Sequence, residues 1–177
     1  MLVVASYFPS NHCAVATSRT RVRLRSTSHR AIDPDWNSPP LLTPITPLKK
    51  AEILVSVLIP IYDEVDTVAE IVERVRATSY KTEVICVDDA STDGTHDVLA
   101  ALLRDGRIHQ AIYQKVNRGK GAAVRAAIAA SHGDIVIVQA ADLAYSPGDW
   151  QILFETLVQG NAAAVFGSRL LGGTTRH

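Results

Sequence analysis

The sequence predicts an α/β fold: one mostly parallel sheet with helices on both of its faces. Two observations carry this expectation. Strand-like and helix-like segments alternate five times between residues 53 and 166, and the strand-like segments are near-continuous apolar runs, as suits strands covered on both sides. In a single sheet, such alternation requires parallel strands joined by right-handed crossovers.

Each element follows from local pattern. Ile53-Leu54-Val55-Ser56-Val57-Leu58-Ile59 is the first strand, expected to stop at Pro60. Thr67 and Glu70 have capping-box spacing, and Val68, Ile71, Val72 and Val75 then share one helical face. Val84-Ile85-Cys86-Val87 is the second strand and ends in Asp88-Asp89. Ser91-Thr92-Asp93-Gly94-Thr95 turns the chain into a helix with Val98, Leu99, Leu102 and Leu103 inward. Ala111-Ile112-Tyr113 is a weaker strand, Gly121–Ser131 an Ala-rich helix, and Ile135–Val138 a further buried strand. Pro147 opens a helix whose apolar face holds Trp150, Leu153, Phe154, Leu157 and Val158, with Gly160 as its stop and Ala162–Phe166 as the last strand.

Bulk properties bound the rest. With 177 residues, 47% of them hydrophobic, the chain can bury one sizeable core. No run of about 18 uncharged apolar residues exists, so no membrane-spanning helix is written in the sequence. Cys13 and Cys86 lie far apart, with Cys86 inside an apolar run, where a buried free thiol is the common outcome. The six histidines lack zinc-site spacing.

The net charge of zero hides an asymmetry. Residues 1–32 contain Arg19, Arg21, Arg23, Arg25 and Arg30 and no acid, which leaves 13 basic against 18 acidic residues in the remainder, a balance of −5. The split marks a boundary rather than a basic protein, and nucleic acid is not an expected partner. Residues 1–50, rich in Ser, Thr, Arg and Pro, are expected to be a disordered extension, with 51–177 as the folded domain. The extension resembles an organelle transit peptide in composition, the plainer reading being a dispensable extension or a misassigned translation start. The expected location is cytoplasmic, peripheral to a membrane, with organelle targeting as the alternative. Oligomeric state has no signal in the sequence.

In parallel α/β sheets, ligands sit beyond the carboxyl ends of the strands. Here those ends are Pro60-Ile61-Tyr62-Asp63-Glu64, Asp88-Asp89, Gln139-Ala140-Ala141-Asp142 and Gly167-Ser168-Arg169. An aromatic, several carboxylates and an arginine on one rim suit a ligand with a planar base, hydroxyls and phosphates. Asn117-Arg118-Gly119-Lys120-Gly121 opens the third helix, where glycines permit close backbone approach. Single residues have plainer readings: Asp93 suits an Asx turn or N-cap as well as a ligand contact, and Asp63 and Glu64 suit solvated acids before a helix. A nicotinamide-dependent dehydrogenase is disfavoured, because no G-x-G-x-x-G follows the first strand.

Taken in order, Val57-x-x-Pro60-x-Tyr62-x-Glu64, Val87–Thr95, Asn117-x-Gly119-Lys120-Gly121, Gln139-x-Ala141-Asp142-Leu143-x-Tyr145-x-Pro147 and Gly167-Ser168-Arg169 resemble family 2 glycosyltransferases of the GT-A type. Within them the pattern resembles the dolichyl- or polyprenyl-phosphate mannosyl- or glucosyltransferase group. The resemblance covers about residues 54–175. It implies a Rossmann-like GT-A fold, with Pro60, Tyr62, Glu64, Val87, Asp89, Lys120, Ala140 and Ala141 at the nucleotide sugar and Asp142 and Arg169 serving the chemistry.

It also implies Mg or Mn held by a D-x-D-type motif after the fourth strand. Here the first acid position is Ala140, the following polar position is Ala144, and Asp142 alone remains as metal ligand, so metal binding is expected to be weak or lost. The implied reaction moves a hexose from GDP-mannose or UDP-glucose to a polyprenyl phosphate with inversion. The alternative is a catalytically impaired nucleotide-binding fragment or pseudoenzyme. The chain ends at Gly172–His177, before the acceptor-side segments the resemblance implies, and so reads as a truncated domain.

Overall fold

The structure is a computed structural model that describes residues 2–5, 53–159 and 164–166. Six strands form one sheet: β1 (Leu2–Ala5), β2 (Leu54–Ile61), β3 (Lys81–Asp88), β4 (Gln110–Tyr113), β5 (Ile135–Val138) and β6 (Ala164–Phe166). Their order is β4-β3-β2-β5-β1-β6, and every pairing is parallel. The helices are α1 (Val68–Arg76), α2 (Thr95–Arg104), α3 (Lys120–Ala130) and α4 (Trp150–Gln159), the last entered through a short 3-10 turn at Pro147–Asp149.

The sheet separates two apolar cores. On one face α1, α2 and α4 cover Val55, Val57, Ile59, Val84, Cys86, Ile135 and Ile137. On the other, α3 lays Ala123 and Ala127 over Leu58, Ile85, Val87 and Val136. Each fully buried aliphatic side chain contributes about 1.5–3 kcal/mol. The alanines of α3 also let its axis lie close to the sheet, which sets the start of that helix over the strand ends.

Four details depart from the sequence expectations. Pro60 does not stop β2, because the strand runs on to Ile61 with Pro60 opposite Val87. Leu58 O accepts Gln139 N on the β5 side and Ile61 O accepts Asp89 N on the β3 side. By strand alternation Pro60 therefore faces β5, beyond the last paired residues Leu58 and Val138, where no donor is required. The Thr67–Glu70 capping box does not form: Thr67 makes no side-chain cap, its hydroxyl donates to Glu64 Oε2 at 2.6 Å, and Glu70 pairs with Arg74.

Leu103 is exposed rather than inward, because Thr95, Leu99 and Leu102 define the buried face of α2 and Leu103 falls past its edge. Leu2–Ala5, expected to be disordered, form β1 between β5 and β6. The run Leu-Val-Val-Ala has strand-forming residues, and this slot supplies ladder partners on both sides. Residues 6–52, the side chain of Val158, Gly160 and the start of the last strand at Ala162 lie outside the described residues.

Candidate functional site

The chain steps from β2 to β3 and β4 in one direction, then crosses to place β5 on the other side of β2. The junction of β2 and β5 is thus the topological switch point, the position where open α/β sheets bind ligands. A cavity opens there, lined by Pro60, Ile61, Tyr62, Glu64, Asp89, Lys120, Ala123, Ala140, Ala141 and Asp142. β2 and β5 are unlaced at this height because their pairing ends at Leu58 and Val138, and Pro60, with no N–H to satisfy, is accommodated there.

Two loops at the cavity are tied together by reciprocal side-chain to backbone bonds. Asp63 N donates to Ser91 Oγ at 2.9 Å, and Thr92 N donates to Asp63 Oδ1 at 2.7 Å. Glu64 N donates to Thr95 Oγ1 at 3.0 Å, and Val65 N to Asp93 Oδ2 at 3.0 Å. The hydroxyl of Thr95 in turn donates to Asp93 Oδ1 at 2.5 Å. That bond, working against slight desolvation and helped by the N–H groups of Thr95 and Val65, holds the Asp93 carboxyl below its ordinary range. The Asx-turn reading of Asp93 is the one this geometry supports.

Asp63, Ala90 and Leu143 are the only non-glycine residues with positive φ among those described, at 54°, 66° and 59°. All three stand just beyond strands that end at the cavity. Such conformations cost about 1–3 kcal/mol each and persist where surrounding bonds over-determine them, which the loop ties above do for Asp63.

Asp89 is nearly buried and receives Arg118 N at Oδ1 (2.9 Å) and Gly119 N at Oδ2 (2.6 Å). Its carboxylate therefore clamps the entry of α3. Gly119, with φ of 82°, makes the turn that sets Lys120 as the first residue of the helix. On the opposite wall, the fully buried Gln139 donates through Nε2 to Tyr145 O at 2.9 Å and accepts the Trp150 indole N–H at 3.1 Å. This amide holds the loop bearing Ala140, Ala141 and Asp142 against α4. Asp142 closes the loop by accepting Ala144 N at 3.1 Å.

The structure brings Pro60, Tyr62, Glu64, Asp89, Lys120, Ala140, Ala141 and Asp142 to one cavity. Val87 is not among them: it is wholly buried in the core, covered by Ala123 and Ala127 of α3. Arg169 lies outside the described residues. Sequence reasoning passed over Gln139 as a working residue and did not foresee the ties from Ser91, Thr92 and Thr95. A polar side chain between the apolar runs Ile135–Val138 and Ala140–Ala141 was the available signal for Gln139.

The donor set does not fit a tightly held Mg or Mn. No group of three or more His, Cys, Asp or Glu side chains among the described residues is placed to hold one ion. Ala140 and Ala141 leave the end of β5 with the single carboxylate of Asp142, and hard cations take six or more oxygen ligands. Cys86 is equally unsuited to chemistry, since burial pushes its thiol up to about 12.

The family model for glycosyl transferase family 2 matches residues 56–176, which includes most of β2 and every described element after it. The chain belongs to glycosyl transferase family 2. An undecaprenyl-phosphate 4-deoxy-4-formamido-L-arabinose transferase of Pseudomonas aeruginosa (strain LESB58) is 38% identical to this family 2 domain over 112 residues, covering 60% of the chain and 33% of that protein. The chain thus spans about a third of the length of the curated relatives it matches.

Among solved structures, S. aureus TarS 1–349 in complex with UDP-GlcNAc superposes with a TM-score of 0.52 at 18% identity, over 62% of this chain and 32% of that one. A mannosyltransferase of Pyrobaculum calidifontis, in complex with GDP-Man and Mn2+, aligns at 30% identity with a TM-score of 0.47, over 50% of this chain and 27% of that one. The family 2 domain has the GT-A type of α/β fold expected from its sequence.

Proposed function

We propose that this family 2 domain binds the nucleoside diphosphate of a sugar nucleotide, GDP-mannose or UDP-glucose, and serves transfer of the hexose to a polyprenyl phosphate. The observation that carries the reading is the cavity at the β2–β5 switch point, which combines an aromatic ring, carboxylates and one ammonium group. Tyr62 is 48% exposed, so its ring face is free to take a planar base. Asp89 and Glu64 line the same cavity and would accept from base N–H or ribose hydroxyl groups. Lys120 meets the diphosphate, Asp142 lies toward the sugar, and Arg169 is assigned to the phosphates from its place after the last strand.

The acceptor class is supported by the relatives, which are named as undecaprenyl-phosphate transferases. An acceptor phosphate oxygen attacks the anomeric carbon from the face opposite the leaving group, and the bond from that carbon to the diphosphate oxygen breaks. The nucleoside diphosphate departs with the electron pair, so the configuration inverts. A lipid phosphate is already anionic at neutral pH, and no general base has to remove a proton. No helix among the described residues is long and apolar enough to cross a membrane, and this reading places the domain peripherally at the cytoplasmic membrane surface.

Ala140 favours a second reading, nucleotide binding without turnover. Consumption of GDP-mannose or UDP-glucose in the presence of polyprenyl phosphate decides between them. Release of GDP or UDP that depends on the lipid supports transfer; calorimetric binding with no release supports the binding module; neither binding nor release removes both.

A further inference from the structure

We propose that this domain holds the diphosphate without a divalent cation, with Lys120 supplying the positive charge. The inference rests on the nucleotide reading above and concerns how the same cavity neutralises its ligand.

At the end of β5 the cavity meets Ala140 and Ala141, which are 8% and 3% exposed, so the methyl group of Ala140 stands where a D-x-D-type motif would place a carboxylate. Asp142 is the remaining carboxylate on that wall, and its Oδ1 already accepts Ala144 N. Asp89 directs both oxygens to the N–H groups of Arg118 and Gly119. Glu64 reaches the cavity from the loop after β2, with Oε2 engaged by the Thr67 hydroxyl. Among the described residues, no three His, Cys, Asp or Glu side chains, these included, are placed to hold one ion.

Lys120 is the cation that the cavity does contain. It lines the wall contributed by α3 and makes no ion pair with any described carboxylate, which leaves its three N–H donors for a ligand. The backbone that carries it is held in place, because Asp89 clamps the two residues before it, and no acid in the first turn of α3 competes for its charge. Tyr62 and Lys120 place an aromatic and an ammonium group at one cavity, the order of groups that a base and its diphosphate require.

Charge arithmetic supports the same conclusion. A pair of acids beside a diphosphate repels it, and a divalent ion relieves that repulsion. The cavity lining holds three carboxylates, Glu64, Asp89 and Asp142, against Lys120, and Ala140 keeps a fourth from facing the diphosphate. The substitution removes a ligand for the ion and, with it, part of the repulsion the ion would offset.

The test is calorimetric titration of GDP and of UDP into the full chain, in EDTA and in Mn2+, with Lys120→Ala, Lys120→Arg and Ala140→Asp in parallel. In the parent chain, the better-bound nucleotide should have the same Kd in both buffers to within about twofold. Lys120→Ala should weaken metal-free binding roughly tenfold, the scale of one lost charge-assisted hydrogen bond, and Lys120→Arg should retain most of it. Ala140→Asp should make binding tighten in Mn2+ by about fivefold or more. Parent binding that requires Mn2+ overturns the inference and leaves the nucleotide reading standing. Unchanged metal-free binding by Lys120→Ala overturns the role of that residue. Absence of binding by the folded parent in both buffers overturns the nucleotide reading together with the inference.

Discussion

Trp150 donates its indole N–H to Gln139 Oε1 at 3.1 Å, while the amide nitrogen of the same glutamine donates to Tyr145 O at 2.9 Å. One buried side chain therefore joins α4 to the loop that carries Asp142. Gln139→Leu keeps the apolar volume but leaves the indole N–H without its acceptor. It should lower the unfolding free energy by about 1–3 kcal/mol, measured by urea denaturation followed by circular dichroism. Nucleotide affinity should fall in the same variant, since the Ala140–Asp142 wall loses its anchor.

Gly133 lies against β2 with no room for a side chain. A Cβ there would stand 2.6 Å from Ser56 N and 2.8 Å from Leu54 O, both backbone atoms of a central strand. Gly133→Ala should destabilise the chain by about 1–3 kcal/mol, visible as a lower melting temperature. A melting temperature equal to that of the parent would mean that the strand shifts freely at this point.

Glu83 ties β3 to the segment before β5. It accepts the Ser56 hydroxyl at 2.6 Å and His132 N at 2.9 Å, and its other oxygen meets His132 Nδ1 at 2.9 Å. Burial pushes its pKa up, but the bonds from Ser56 and His132 together outweigh this and hold the carboxyl below its ordinary range. A group with a depressed folded pKa stabilises the fold above its unfolded pKa and loses that contribution as pH falls through the folded one. Urea midpoints should therefore drop, as pH passes below the ordinary glutamate range, more steeply in the parent than in Glu83→Gln.

Asp89 is a positioning residue for α3 as well as a wall of the cavity. Asp89→Asn keeps one acceptor and turns an amide N–H toward a backbone N–H at Arg118 or Gly119. Stability should fall by about 1–3 kcal/mol, and nucleotide binding should weaken by roughly tenfold or more as Lys120 loses its fixed place. Denaturation and calorimetry on the same preparation separate the two effects.

Cys86 should resist thiol reagents while the chain is folded, because it is wholly buried and its thiol ionises only near 12. Peptide mapping after alkylation at neutral pH should find Cys86 unmodified in buffer and modified in denaturant. Modification in buffer would reveal opening of the core on the face covered by α1, α2 and α4.

The fold class was legible because buried parallel strands leave long apolar runs, and Ile53–Ile59, Val84–Val87 and Ile135–Val138 all lie within or overlap observed strands. Helix faces were legible to the same degree: Val68, Ile71, Val72 and Val75 are buried on α1 as their spacing requires. What escaped was set by tertiary partners. Pro60 reads as a terminator until the neighbouring strand is known to have ended at Val138. Thr67 reads as a cap until Glu64 is seen to take its hydroxyl. Leu2–Ala5 have no local reason to pair with β5, and only the sheet order assigns them.

The site was legible as a set of strand ends, and eight of the expected residues meet at one cavity. The side chains that hold those residues in place were less visible. Gln139, Ser91, Thr92 and Thr95 act through backbone groups distant in sequence, and no spacing rule announces such bonds. Val87 shows the converse, a residue inside a recognisable pattern whose side chain faces the core.

Pro60 has a consequence for how fast and how tightly the cavity fills. Because β5 has already ended at Val138, Pro60 leaves no ladder hydrogen bond unmade at that height, and a ligand need not prise paired strands apart on arrival. The opening is preorganised, so little binding energy is diverted into reshaping the backbone and association should run close to the rate set by diffusion and orientation. Residence time, rather than entry, then becomes the quantity that substitutions along the walls would tune.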